Sequence, residues 1–238
     1  MIRSLSEPSV ASQVDVARLL SCAEKETSNL ARLYWLGAMP SWNGEGWWKL
    51  AATMIKPTTL DQDRDYPLML WYAIKDRLVQ QPTQGAAFLS MFYSAKNVTQ
   101  VESVPFGKVV RFASRRLASI MQQDRLGIDS LVGIANRTGL SMQKDVMHGM
   151  FDGTQGRSRL VPPEGFEILA EAVHGAMQAP SDQDKLKRLR TIFGDGLARD
   201  QLEGMVHDQS QDSSSRREAL MSLYATKSEG AYELAKKY

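Results

Sequence analysis

Few side chains in this sequence have the type and spacing that chemistry requires. His148, His174 and His207 are its three histidines, and apolar periodicity places them on three different helices, with no second metal-type ligand at i, i+4 beyond what chance spacing gives. Asp152 stands four residues after His148, one helical turn away, where a carboxylate could orient an imidazole. No serine or cysteine nucleophile motif accompanies that pair, so a surface or capping role is expected for His148 rather than catalysis. Cys22 is the one cysteine, which excludes an internal disulfide, a paired-cysteine zinc site and the Cys-x-x-Cys-His sequence that attaches c-type haem. It is read as a small core residue on a helix.

Two short runs imitate binding loops and fail in detail. Asp61-Gln62-Asp63-Arg64-Asp65 begins like an EF-hand, but Tyr66 occupies the position of the turn glycine and Tyr72 that of the bidentate glutamate. Gly194-Asp195-Gly196 begins like a dinucleotide fingerprint, but Arg199 replaces the third glycine and no strand precedes it. A helix C-terminal turn is the expectation there. No catalytic, metal or cofactor-binding residue is therefore assigned.

Basic side chains remain. Lys108, Arg111 and Arg115 share one helical face, Arg157 and Arg159 lie in a loop, and Lys185, Lys187, Arg188 and Arg190 form a run. Lys108, Arg111, Arg115, Arg157 and Arg159 are the candidate interaction surface, although long basic chains routinely cover helices without binding anything. Trp71, Tyr72 and the pair Trp47-Trp48 are read as core or inter-helix packing before they are read as a ligand cage. Overall charge gives little support to a phosphate-tracking role, since 29 basic residues stand against 27 acidic ones.

The elements that must position these residues are helices. Trp47, Leu50, Ala51 and Met54 fall at i, i+3, i+4 and i+7, as do Leu30, Leu33, Tyr34 and Gly37. Phe106, Val109, Val110, Ala113, Leu117, Ile120 and Met121 form a longer stripe, with Lys108, Arg111, Arg115 and Ser119 opposite. Leu70, Trp71, Ile74 and Leu78 form another, and Phe166, Leu169, Ala170, Val173 and Met177 a further one. Ser181 to Asp184 and Ser215 to Glu218 read as N-terminal caps, Pro162-Pro163 as a helix first turn, and Thr138-Gly139 as a break between helices. No alternating strand stands out, and no apolar run reaches membrane-spanning length; the N-terminus also lacks the apolar stretch of a signal peptide.

The pattern implies an all-α chain of about ten short amphipathic helices, spanning 1–238 as a helical-repeat region with a possible sub-boundary near 153–163. An α-solenoid of HEAT-like helix pairs is expected, and a single globular helical bundle is the alternative.

Four blocks carry a family resemblance: DYPLMLWYAI from Asp65 to Ile74, VVRFASRRLA from Val109 to Ala118, GMFDGTQGRSRLVPPEGF from Gly149 to Phe166, and FGDGLARDQLEGMVHDQSQDSSSRREALMSL from Phe193 to Leu223. Together they resemble the HEAT-like helical-repeat region of large bacterial PVC-type c-type cytochrome, or membrane-bound dehydrogenase-like, proteins. In those, the repeats join a sugar-dehydrogenase-like β-propeller to a C-terminal haem domain. The resemblance implies a non-catalytic scaffold or connector, in a parent exported to the periplasm and active in redox chemistry, whose haem c belongs to another part of the chain. Its partners would be protein domains of the same parent chain; the absence of a membrane-spanning apolar run adds the expectation that no membrane is a partner. The competing expectation is a free-standing α-solenoid that binds nucleic acid through its basic helix faces. At the other end of the sequence, Ala231, Leu234, Ala235 and Tyr238 form a last apolar stripe that needs a covering partner, which fits a fragment of a longer chain.

Overall fold

A computed structural model of the chain describes residues 16–42, 44–55, 65–93, 106–157, 160–176 and 179–225. Among the described residues there are eleven α-helices and no strand, so the chain is all-α. The helices are α1 (Val16–Lys25), α2 (Asn29–Ala38), α3 (Trp47–Met54), α4 (Tyr66–Gln80), α5 (Pro82–Ser90), α6 (Gly107–Ser119), α7 (Leu126–Thr138), α8 (Leu140–Thr154), α9 (Phe166–Ala176), α10 (Pro180–His207) and α11 (Ser213–Ala225). Short 3-10 turns follow α2 (Met39–Ser41) and α5 (Met91–Tyr93).

Most of these helices pack against the second helix along the chain. The series α1, α3, α5, α7, α9 forms one row and α2, α4, α6, α8, α10 the other, with chain neighbours such as α4 and α5 or α7 and α8 joining the rows. Amphipathic stripes explain this, because each helix has one wet face and must bury the other against both rows. One continuous core runs from Leu19 to Phe193, and a separate small cluster of Val206 and Ala219 joins α10 to α11.

Several stripes lie where periodicity puts them. Trp47, Leu50, Ala51 and Met54 are buried, as are Phe106, Val109, Val110, Ala113, Leu117 and Met121, and Phe166, Leu169, Ala170 and Val173. The break at Thr138-Gly139 is also found: α7 ends at Thr138, and Gly139 alone, at φ +126°, turns the chain into α8. That backbone region favours glycine.

Other expectations are corrected. In α2 the apolar stripe points outward, with Leu30 63% and Tyr34 64% exposed, while Arg32, Trp35 and Leu36 face inward. Arg32 is buried because its guanidinium donates to the carbonyls of Thr53 (3.2 Å) and Met54 (3.4 Å) at the end of α3, and to that of Glu26. Those carbonyls lack helical partners, and an internal arginine satisfies them. Cys22 is exposed rather than in the core, because α1 turns Leu19 and Ala23 inward. Trp71 is only partly buried and Tyr72 is 51% exposed, while Leu70, Ile74 and Leu78 form the buried face of α4.

Helix starts also differ from expectation. Ser181 lies inside α10, which begins at Pro180, and Ser215 lies inside α11, whose first turn is capped by Asp212 accepting from the amides of Ser214 and Ser215 at 2.9 Å each. Pro162-Pro163 precedes α9 without entering it, since the helix starts at Phe166. Gly194-Asp195-Gly196 runs through the middle of α10 instead of ending a helix. The stretch between α8 and α9 is irregular, yet Leu160 is buried and its amide donates to the Ile192 carbonyl at 3.1 Å. Residues 61–64, Arg159, Met177 and the stripe 231–238 lie outside the described residues.

Candidate interaction surface

The α6–α8 crossing positions much of the functional candidate surface. A Cβ added to Gly149 would stand 2.3 Å from the Arg111 carbonyl oxygen, and one added to Gly153 2.4 Å from that of Arg115. Two glycines at i and i+4 therefore let the backbones touch, with Ser114 and Ala118 as the small residues opposite. Ser114 Oγ donates to the Val146 carbonyl at 2.7 Å across this contact.

At one end of the crossing sits a buried carboxylate. Asp145 is 6% exposed. It accepts from Tyr93 Oη at 2.7 Å and from Arg111 Nε at 2.6 Å, so it ties the turn after α5, helix α6 and helix α8 together. Burial and the neighbouring Asp145 charge push the Tyr93 phenol far above its ordinary range, so Tyr93 acts as a neutral donor.

One turn further along α8, His148 Nε2 lies 3.0 Å from Asp182 Oδ1, which also accepts from Lys185 Nζ at 3.2 Å. The sequence pairs His148 with Asp152, but the structure pairs it with Asp182 from α10. Burial, followed by the charges of Lys185 and Arg111, holds the imidazole below its ordinary value despite Asp182. Burial works against ionisation of Asp182 too, yet the hydrogen bond from Lys185 and the neighbouring His148 hold its carboxyl below the usual carboxylate range. His174 and His207 are exposed on α9 and α10. Among the described residues no three His, Cys, Asp or Glu side chains gather where they could hold a metal.

The expected basic surface is divided by its own ion pairs. Lys108, Arg111 and Arg115 are exposed along α6, but the Arg111 guanidinium is engaged by Asp145. Arg157 is half-buried after α8, its amide donating to Thr154. In the α10 run, Lys185 bonds Asp182 and Arg190 bonds Glu171, while Lys187 and Arg188 face solvent.

Arg115 also borders a groove that sequence reasoning did not find. Between α4 and α6, Leu68, Trp71, Tyr72, Phe112, Arg115, Arg116 and Ser119 line an open space of about 450 Å³. The Trp71 and Phe112 rings are 6.0 Å apart at 46°, and Lys75 Nζ lies 5.8 Å from the Tyr72 ring centre. A second groove of about 490 Å³, between α7 and α9, mixes Asp129, Arg137 and Glu164 with the exposed Leu126 and Ile168. The first was legible only in part. The block Val109–Ala118 shows the arginines, but nothing in periodicity says that Trp71 sits at the edge of the core, where it meets Phe112.

Compared with known proteins, no family model, curated sequence or solved structure matches this chain. No described helix is long and apolar enough to cross a membrane.

Proposed function

We propose that this chain is a non-catalytic α-solenoid of HEAT-like helix pairs that serves as a scaffold or connector, positioning flanking domains or docking a protein partner. The observation that supports this reading is the packing of most helices on the second one along, in two rows that share one core from Leu19 to Phe193. That is how helix-pair repeats bury faces that no single pair can cover. The resemblance to PVC-type cytochrome proteins supports the connector role, a redox-active parent and a periplasmic setting. Basic tracking of nucleic acid is less well supported, because Arg111 already serves Asp145 and Arg190 already serves Glu171.

Two experiments test the reading. In Val206→Asp, hydrogen exchange should show protection lost in the C-terminal part of α10 and in α11, with α6 and α8 still protected, as expected of nearest-neighbour repeats. Simultaneous loss in every helix would indicate a single cooperative bundle instead. Sequencing the flanking DNA tests the connector role: propeller-coding sequence upstream and a Cys-x-x-Cys-His motif downstream are expected, and stop signals on both sides would remove it.

A further inference from the structure

The groove between α4 and α6 combines features that mixed helix surfaces lack. Its floor is aromatic, from Trp71 and Phe112, and its rim exposes Leu68 at 41% and Tyr72 at 51%. Large apolar side chains exposed around a concavity are unfavourable in water and gain from being covered. Cations surround them: Arg115 and Arg116 line the groove, and Lys75 stands over the Tyr72 ring. No carboxylate is among the lining residues, and neither arginine takes part in an ion pair among the described residues. Arg111, one turn before Arg115, has Asp145; the groove arginines have no such counter-charge among the described residues.

We propose that this groove binds an acidic peptide segment of a partner protein, one bulky apolar side chain entering over Trp71 and Phe112 and adjacent Asp or Glu carboxylates meeting Arg115 and Arg116. This rests on reading the chain as a docking scaffold. A planar guanidinium pairs with carboxylates through two parallel hydrogen bonds, and aromatic side chains beside arginine are the composition of interface hot spots. The volume falls in the range of about 300–1,000 Å³ common to ligand pockets, enough for an anchor side chain and its neighbours but not for a long strand. A peptide is favoured over nucleic acid because the groove joins only two arginines to an aromatic floor and Arg111, the next arginine along that face of α6, is already held by Asp145, whereas a phosphate backbone requires a longer track of available cations.

The test uses the full chain and labelled synthetic peptides carrying one Trp or Phe flanked by Asp and Glu, with Lys-flanked and Ser-flanked counterparts and single-stranded oligo-dT. Fluorescence anisotropy should show binding of the acidic peptide alone, weakened about tenfold by Arg115→Glu or Arg116→Glu and weakened by Phe112→Ala. Lys187→Glu, a charge reversal on distant α10, should leave it unchanged. The proposal is overturned by no peptide binding, by equal binding of all three peptides, by indifference to both arginine reversals, or by binding of oligo-dT alone. These outcomes are separable from failure of the scaffold reading, which hydrogen exchange reports independently of any peptide.

Discussion

The α6–α8 crossing and the α10–α11 hairpin are both helix pairs, but they are held in opposite ways. At the crossing, side chains have been removed: Gly149 and Gly153 bring backbone onto backbone, and the one charged group enclosed there, Asp145, is tied to Tyr93 and Arg111. In the hairpin, Val206 and Ala219 are buried with Leu202 and Leu220 beside them, and a methyl group added to Gly204, in the same part of α10, would meet no atom within 4 Å. Close packing tolerates no added atom, whereas Gly204 faces solvent beside the satellite cluster. The same substitution should therefore change sign between the two regions.

The largest effect is expected from Asp145→Ala. It leaves the Tyr93 hydroxyl unpaired in a buried site and frees Arg111, which is itself partly solvated, so a loss of about 3 kcal/mol is expected on urea denaturation. A loss under about 1 kcal/mol would mean that water replaces the carboxylate and that the crossing is held by shape alone. Next comes Gly149→Ala, whose methyl group meets the Arg111 carbonyl; overpacking of about 1–3 kcal/mol outweighs the better helix propensity of alanine. Gly204→Ala is the mirror test. With open space around it, the alanine should stabilise the hairpin by about 0.5–1 kcal/mol, read as slower exchange in α10 and α11. Destabilisation at Gly204 would erase the contrast.

The smallest expected effect is one of pH. The folded-state value of His148 lies below the ordinary 6.5, so the unfolded chain takes up this proton first. Stability is thus complete above that ordinary value and declines as pH falls through it towards the folded one. Denaturation between about pH 7.5 and pH 5 should show the decline in the native chain, and His148→Gln should flatten it. An unaltered profile in that variant would move the effect to other groups.

How much of the fold and of the surface is legible in the sequence depends on what satisfies each residue. Stripes such as Trp47 to Met54 are readable because every apolar group has the simplest fate, burial. The stripe at Leu30 and Tyr34 misleads because hydrophobicity alone cannot show that Arg32 is needed inside, where it caps the last carbonyls of α3. Asp145 is hidden for the same reason: a lone carboxylate in a sequence looks solvent-facing until a tyrosine 52 residues away reaches it. The serine caps mislead by a few residues because Pro180 and Asp212 start their helices earlier. The grooves depend on which flank of each helix meets its neighbour, and periodicity within one helix does not contain that information.

Packing on the second helix along also sets the order in which the molecule can form. The bonds from Asn136 to Gly165, Arg111 to Asp145 and His148 to Asp182 span 29, 34 and 34 residues. Each closes a short loop, and short loops close quickly and with little entropic loss. During synthesis, a helix needs only the next two helices to leave the ribosome before both of its rows are represented, so folding can follow the growing chain from the N-terminal side. Asp145 would then act as a checkpoint, because Tyr93 and Arg111 wait for it and cannot be satisfied until α8 has emerged.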